Sequence, residues 1–272
     1  MEIKAADVAK LRKMTGAGMM DCKKALIEAD GDYDKAQDII RERGKLVAAK
    51  RADRSATEGV VVSKIVGQKG YMLCLACETD FVAKNSEFSA TANEILDIAI
   101  AADAADLEAL NAVAADGRTV ADKVTEKSGQ TGEKVELAYY GKIEAPMCVT
   151  YIHMNSKLGT LIGFNKEIDK EVAKDVAMQA AAMAPVSIDK GDCDPKIIEH
   201  ERMIGREQAR QEGKPEAMLD KIAEGKVNKF LKENTLLNQD LVKNNKISVG
   251  TYIKEADKDA TVIAYKRFSL ND

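Results

Sequence analysis

The stretch Val60–Cys77, VVVSKIVGQKGYMLCLAC, decides the fold class of this chain. Two runs of residues that favour strands, Val60–Val66 and Tyr71–Cys77, flank the glycine-containing turn Gly67–Gly70, which is the pattern of a β-hairpin. A short polar segment then leads into Glu87–Ala102, whose apolar spacing is typical of a helix. A hairpin followed by a helix indicates an α+β fold.

The same arrangement recurs later in the chain. Met147–Met154 and Thr160–Phe164 flank the turn Asn155–Gly159, and the helical stretch Lys170–Met183 follows them. Two hairpin-plus-helix units predict an α+β core with two related halves, which repeat in topology rather than in sequence. Ser248–Ala256 and Asp259–Leu270 are predicted to be a short helix and a final strand, which return to complete the second half.

The N-terminal residues 1–54 predict a separate unit of three short helices. Thr15–Gly18 contains two glycines, which permit the tight turn that two adjacent helices need. Asp32 or Asp34 can cap the third helix. The charged segment Lys45–Thr57 is predicted to be the connector to the core.

Pro195–Asn234 interrupts the second half with two charged helical runs, separated at Glu212–Pro215. The second run carries one apolar stripe at three- and four-residue steps, which predicts an antiparallel helical hairpin. The predicted organisation is therefore a three-helix domain with its connector at 1–54, a core N-subdomain at 55–140, a core C-subdomain at 141–186 and 235–272, and an inserted helical hairpin (coiled coil) at 187–234.

Composition excludes several classes of protein. The 272 residues are 45% hydrophobic and 32% charged, which suits a globular protein of several domains. The formal net charge of −4 has the wrong sign for a nucleic-acid binder, so no direct nucleic-acid partner is predicted. No apolar stretch is long enough to span a bilayer, so no membrane partner is predicted. Five cysteines without an export signal indicate a reduced cytoplasm.

No residues form a persuasive catalytic or cofactor site. The chain has two histidines and lacks the glycine-rich patterns of a phosphate loop or a nucleophile elbow. Cys74 and Cys77 have the spacing of a redox or metal pair, but residues three apart on a strand point to opposite faces. His153, alone on a predicted strand, is interpreted as a partly buried side chain with its own hydrogen bonds. We predict no enzyme, no metal and no cofactor; a thiol oxidoreductase that uses the two cysteines stays as an alternative.

The polar segment 77–85, CETDFVAKN, carries a phenylalanine in its middle, in a chain with five phenylalanines and no tryptophan. In one interpretation Phe81 or Val82 packs back on the following helix as a hydrophobic staple, while Asp80 or Asn85 caps that helix. In the other interpretation the ring is a probe for a partner. The residues alone leave both interpretations open.

Two stretches, LRKMTGAGMMDCKKAL at 11–26 and ETDFVAKN at 78–85, closely resemble the two signatures of the bacterial elongation factor Ts family. Members of this family are nucleotide-exchange factors of elongation factor Tu. The resemblance extends to the order of the parts: an N-terminal ubiquitin-associated-like three-helix domain, a two-part core, and a helical hairpin inserted in the second half of the core. Ala76 is a departure, because asparagine is common there in the family.

The resemblance implies a function and a set of contact residues. The family's aspartate and phenylalanine, here Asp80 and Phe81, enter the GTPase domain of elongation factor Tu beside its magnesium site and weaken the contacts that retain GDP. Whether the protein forms a homodimer or a two-to-two complex with Tu stays open. The implied contacts are Thr79, Asp80, Phe81 and Val82 in the exchange probe, Arg12, Met19, Met20 and Lys23 in the N-terminal domain, and His153, Leu241 and Val242 in the C-subdomain.

Within the pair Met19 and Met20, we expect one side chain in the core and the other presented outward, since flexible thioethers suit both roles. The alternative function is a ubiquitin-associated-type adaptor, which would bind some other protein through the glycine turn and its methionines. A GDP-release assay with elongation factor Tu distinguishes these functions.

Overall fold

The structure is a computed structural model that describes residues 3–271, and it is mixed helix and sheet, so the predicted α+β class is confirmed. None of its helices is both long and apolar enough to cross a membrane. The helices are α1 Ala5–Thr15, α2 Met19–Glu28, α3 Tyr33–Lys50, α4 Asp80–Ala83, α5 Ser86–Ala102, α6 Leu107–Ala112, α7 Val120–Thr131, α8 Lys170–Met183, α9 Pro195–Gln211, α10 Glu216–Asn234 and α11 Val249–Ala256. The strands are β1 Glu58–Val66, β2 Lys69–Cys77, β3 Ala114–Ala115, β4 Arg118–Thr119, β5 Val135–Glu144, β6 Met147–Ile152, β7 Leu158–Phe164, β8 Asp240–Leu241, β9 Asn244–Ser248 and β10 Val262–Ser269.

Two three-stranded antiparallel sheets form the centre of the molecule. The first has the order β1-β2-β5 and the second has the order β10-β7-β6. Both predicted hairpins are confirmed, with Val61 paired to Cys74 in the first and Val149 paired to Ile162 in the second. The prediction that His153 lies on a strand is wrong, because β6 ends at Ile152 and the turn begins there. In each sheet the second strand of the hairpin is central, and the third strand of the sheet comes from much later in the chain. The sequence patterns did not identify β5, which pairs with β2 along its whole length.

The strand β2 is buried on both of its faces. Tyr71, Leu73, Leu75 and Cys77 pack in one cluster with α5 and α7, whereas the alternate residues, including Cys74, pack against the second sheet. This alternation follows from the two-residue period of a strand. The molecule is therefore layered as helices, sheet, sheet and helices.

Helix α5 covers the outer face of the first sheet. It begins where the Asn85 side chain accepts a hydrogen bond from the Glu87 backbone N–H at 2.8 Å, which satisfies a donor that the helix itself cannot. Its apolar residues recur at three- and four-residue steps and are fully or nearly fully buried; they are Phe88, Ala92, Ile95, Leu96 and Ala99. Burial of a ring such as that of Phe88 contributes about 1.5–3 kcal/mol of transfer free energy.

The helices α1 to α3 bury a small cluster of their own, which includes Leu11, Cys22 and Leu26. The turn between α1 and α2 uses Gly16 at φ 66°, and Asp32 caps α3 by accepting from two backbone N–H groups. The predicted connector Lys45–Thr57 begins too early, because α3 continues to Lys50. Its last turns contain good helix formers, and they lie along α7, which stabilises the extension.

The contact between α3 and α7 joins these helices to the rest of the protein, and two glycines face each other in it. A Cβ added to Gly129 would lie 2.4 Å from the Cα of Gly44, whereas a Cβ added to Gly44 would lie 3.5 Å from the Cα of Gly129. Gln130 donates to the carbonyl of Thr15 at 2.6 Å beside this contact. The two helix backbones can approach this closely because Gly129 has no side chain, whereas Gly44 leaves room for a methyl group.

The helices α9 and α10 form an antiparallel hairpin that leaves the second half of the core and returns to it. Its two ends are tied together by the Val186 N–H, which donates to the carbonyl of Asn234, and by the Leu236 N–H, which donates to Ser187. Four residues of the predicted stripe in α10 are buried and two are half-buried: Leu219, Ala223, Val227 and Leu231, then Ile222 and Phe230. The ion pairs between the helices are exposed, and such pairs contribute about 0–1 kcal/mol each, so the apolar stripe is the main stabilising contact.

We predict that Gly129→Ala loosens the contact between α3 and α7, whereas Gly44→Ala does not. The methyl group on residue 129 would overlap the backbone of Gly44, and such overpacking typically costs about 1–3 kcal/mol. The methyl group on residue 44 meets an ordinary van der Waals distance and gains about 0.5–1 kcal/mol of helix propensity. Hydrogen exchange across α3 measures the difference; equal protection in both variants would contradict this account of the contact.

Candidate functional site

The segment that follows β2 presents Phe81 to solvent. It forms α4, a single helical turn, in which Val82 is half-buried against the core cluster while the ring of Phe81 is 84% exposed. Asn85 then caps α5. The side chain that packs inward is thus that of Val82 and not that of Phe81.

Glu133, just beyond α7, fixes the start of this segment. Its carboxylate accepts from the backbone N–H groups of Glu78 and Thr79 at 3.1 and 3.0 Å, and from the Thr79 hydroxyl at 2.6 Å. Hydrogen bonds to a charged acceptor are stronger than neutral ones. Because its hydroxyl is used inside the protein, Thr79 supports α4, and the side chains of the motif that face solvent are Asp80 and Phe81.

Glu78 ties the same segment to the end of the N-terminal unit. Its carboxylate accepts from the Lys134 backbone N–H at 2.6 Å, from Arg51 at 2.9 and 3.0 Å, and from Arg54 at 3.1 Å. These donors, the Lys134 N–H above all, lower the pKa of Glu78 to about 2. The residue is therefore ionised at neutral pH, and α4 is held from two directions.

Asp80 places a negative charge beside the exposed ring. Its carboxylate lies 2.6 Å from the Lys84 ammonium group, and this hydrogen bond lowers the pKa of Asp80. Both side chains are exposed, so the pair is worth little to stability and opens easily to another cation. An exposed aromatic ring next to an ionised carboxylate is suited to contact with a partner that carries a cation or a metal.

The N-terminal candidates form a second exposed surface. Arg12, Met19, Met20 and Lys23 are all exposed at the α1–α2 turn and on the first turns of α2. The expectation that one of the two methionines lies in the core is wrong, because both are exposed. The buried side chain of this helical turn is that of Cys22, whose sulfur donates to the carbonyl of Ala17.

A groove of about 900 Å³ separates this N-terminal surface from α5 and α7. Arg12 and Met19 line one wall, and Glu87 and Lys127 line the other. Burial lowers the pKa of Lys127. The groove brings charged and apolar groups from distant parts of the chain to one side of the molecule.

The candidates from the second half differ in their exposure to solvent. His153 is half-buried, and its Nδ1 lies 3.0 Å from the Tyr151 hydroxyl. Leu241 is only 3% exposed and belongs to the core cluster under α8, so its side chain has no surface for a partner. Val242 is exposed, and its N–H donates to Gln179 at 2.8 Å.

The turn at 153–157, between β6 and β7, is linked to the Phe81 segment. Lys157 of this turn lies 2.6 Å from Glu58 at the start of β1, and Glu58 also acts electrostatically on Lys84. The same turn carries Met154, which sequence reasoning missed and which is 94% exposed. The signal that could have identified it is its place at the tip of a polar turn, next to Asn155.

The two cysteines of the alternative thiol function are buried in different clusters, on opposite faces of β2. Burial raises the pKa of Cys74 and of Cys77 to about 12. A thiol with such a pKa is protonated at neutral pH and is a poor nucleophile. Within residues 3–271, no three His, Cys, Asp or Glu side chains are arranged to hold a metal ion.

The chain is similar over its whole length to known proteins. A family model described as Elongation factor TS matches residues 78–272. The chain is 48% identical to the Elongation factor Ts of Porphyromonas gingivalis over 272 residues, which cover 100% of this chain and 99% of that protein. It is 48% identical to the Elongation factor Ts of Cytophaga hutchinsonii and 47% identical to that of Christiangramia forsetii, in each case over 99% of both chains. The chain therefore belongs to the elongation factor Ts family, a family of translation elongation factors.

Proposed function

We propose that this protein is a guanine-nucleotide exchange factor in translation elongation, acting in the cytoplasm. It binds elongation factor Tu in its GDP state and promotes release of GDP by disturbing the magnesium and phosphate site of the GTPase domain. The observation that carries the proposal is the exposed ring of Phe81 beside the ionised Asp80, on a helical turn that Glu133 and Glu78 hold in place. Membership of the elongation factor Ts family supports it.

Exchange of this kind needs no active site and no cofactor. A factor that binds the GTPase best when GDP and magnesium are absent must lower their affinity by the same factor as they lower its own. A shift from 1:99 to 99:1 requires about 5.5 kcal/mol of differential binding. Burial of one ring supplies about 1.5–3 kcal/mol, so Phe81 needs further contacts.

The further contacts that we propose come from both sides of α4. Arg12, Met19, Met20 and Lys23 bind the GTPase domain from the N-terminal unit, and His153 and Val242 bind from the second half. Leu241 acts indirectly, since its buried side chain positions the turn that carries Val242. Asp80 and Phe81 enter the partner, and Thr79 and Val82 support α4, the helical turn that carries them.

The domain division that we propose is the one predicted from sequence: a ubiquitin-associated-like domain at 1–54, core subdomains at 55–140 and at 141–186 with 235–272, and an inserted coiled coil at 187–234. The three helices with their own cluster support the first domain. The equal strand orders of the two sheets support a core of two related parts.

A ubiquitin-associated-type adaptor is the second candidate function, and the exposed methionine pair after the Gly16–Gly18 turn favours it. Such an adaptor binds its partner through the N-terminal surface and has no need of an exposed Phe81. Release of fluorescent GDP from purified elongation factor Tu distinguishes the two, because an adaptor leaves the release rate unchanged.

Phe81→Ala is expected to slow exchange without weakening the fold. Truncation of a central aromatic contact typically costs about 2 kcal/mol, or roughly thirtyfold in the release rate. The matched control is Phe88→Ala, seven residues later, whose ring is 2% exposed and whose loss is expected to destabilise the protein by about 3–5 kcal/mol. Melting curves of both variants, and the rates at which they release GDP from elongation factor Tu, test this. A Phe81→Ala protein that unfolds, or that accelerates GDP release as much as the parent does, contradicts the proposal. Asp80→Ala is expected to slow exchange more mildly.

Met20→Ala, combined with Met19→Ala, is expected to weaken binding to elongation factor Tu about tenfold, with an unchanged melting temperature. Both side chains are exposed, so neither truncation leaves a cavity. Point variants are preferable to removal of residues 1–54, because that removal also takes away Arg51 and Arg54 from Glu78. Titration calorimetry measures the affinity, and light scattering of the mixture distinguishes a one-to-one from a two-to-two complex. Undiminished affinity would refute the N-terminal contact.

Replacement of residues 200–226 by a short Gly-Ser linker is expected to leave most of the exchange activity. The base of the hairpin stays intact in this variant, because Cys193, Ile197, Val227 and Leu231 form their own cluster there. In the distal part the apolar residues pair the two helices with each other, and the remaining faces carry exposed ion pairs within the hairpin itself. Loss of exchange in a variant that melts like the parent would overturn the proposal that GDP release is driven elsewhere.

A further inference from the structure

Two large apolar side chains are far more exposed than any other in residues 3–271. They are Phe81, at 84%, and Met154, at 94%; the next, Val242, is at 64%. Single exposed apolar residues are ordinary, whereas exposed apolar side chains that form one contiguous patch mark an interaction site. Whether these two side chains can form one patch depends on where the turns that carry them lie.

Met154 stands at the tip of a well-ordered turn. The His153 N–H donates to Leu158 at 2.9 Å, and the Ser156 N–H donates to His153 at 2.8 Å. Ser156 itself has φ 56°, a conformation that only a tightly determined turn imposes on a residue with a side chain. The His153 ring is half-buried beside the Tyr151 hydroxyl, so the most exposed apolar side chain of this turn is that of Met154.

The same turn is fixed to the first residues of β1. The Val61 N–H donates to the carbonyl of Ser156 at 2.6 Å, and Lys157 lies 2.6 Å from the Glu58 carboxylate. Glu58 pairs with Cys77, the last residue of β2, and α4 begins three residues after Cys77. The turns that carry Met154 and Phe81 thus flank the same end of β1.

We propose that Met154 is a second apolar contact for the GTPase partner and forms one surface with Phe81. The inference rests on the proposed function, because the occupant is the protein that receives the Phe81 ring. An unbranched thioether adapts its shape to an apolar surface, which suits a supporting contact beside a more rigid aromatic one.

The two residues have different roles on this surface. Phe81, next to Asp80, acts at the nucleotide site and changes the release rate when the GTPase is saturated with factor. Met154 stabilises the complex alike with and without GDP, so it changes the concentration of factor that gives half of the maximal rate. This division separates a supporting contact from a second exchange probe.

The test uses Met154→Gln and Met154→Leu in the full chain, with Met203→Gln as the matched control on α9, where the methionine is 56% exposed. The readout is release of fluorescent GDP from purified elongation factor Tu as the factor concentration is raised. Met154→Gln is expected to raise the half-maximal concentration about fivefold to tenfold and to leave the maximal rate near that of the parent. Met154→Leu and Met203→Gln are expected to behave like the parent.

The failures of the two proposals are distinguishable. If the parent does not accelerate GDP release, the proposed function is wrong and this inference is wrong with it. If the parent is active and Met154→Gln has the same half-maximal concentration as Met203→Gln, only the inference is wrong. An equal loss in Met154→Leu and Met154→Gln also overturns it, since an apolar contact tolerates leucine. Melting curves of all three variants are expected to match the parent, because these side chains have few internal contacts.

Discussion

Burial of β2 on both faces is the constraint on which the other layers depend. One set of alternate residues packs beneath α5 and α7, and the other set packs on the second sheet. Because neither face of this strand can be left to water, the helices and the second sheet must both be in place before the strand is stable. The strand also pairs with β1 on one side and β5 on the other, so its end at Cys77 has a fixed position.

This fixed end determines how the functional segment is presented. Only three residues separate Cys77 from the ring of Phe81, and two carboxylates hold the backbone between them. Glu133 accepts from Glu78 and Thr79, while Glu78 accepts from Lys134 and from the end of the N-terminal unit. A ring that is exposed on a rigid support loses little conformational entropy when a partner covers it. The proposed exchange mechanism therefore depends as much on these anchors as on the phenylalanine.

Long-range contacts connect the N-terminal helices and the turn at 153–157 to the centre of the molecule. The α3–α7 contact at Gly44 and Gly129 brings the N-terminal surface to a defined place beside α5. The His153–Lys157 turn is fixed to β1 by Glu58 and Val61. The candidate contacts on the first two helices, on α4 and on this turn are consequently held by the same sheet.

The sequence by itself determined the local elements, because their causes lie within a few residues: the two hairpins, the stripe of α10 and the candidate caps, from which the structure selects Asp32 over Asp34 and Asn85 over Asp80. The two signature stretches also determined the family. Only the tertiary structure decided which side chains face solvent. Val82 packs inward while Phe81 does not, both Met19 and Met20 are exposed, and Leu241 is buried beside an exposed Val242.

The physical reason is that exposure depends on what covers a residue, and the covering groups come from far along the chain. Glu133 is 54 residues from Thr79, and Lys157 is 99 residues from Glu58. No local pattern contains such pairs. A period of hydrophobic residues can assign a face to a long helix, but it cannot assign one to a single turn such as α4 or to the tip that carries Met154.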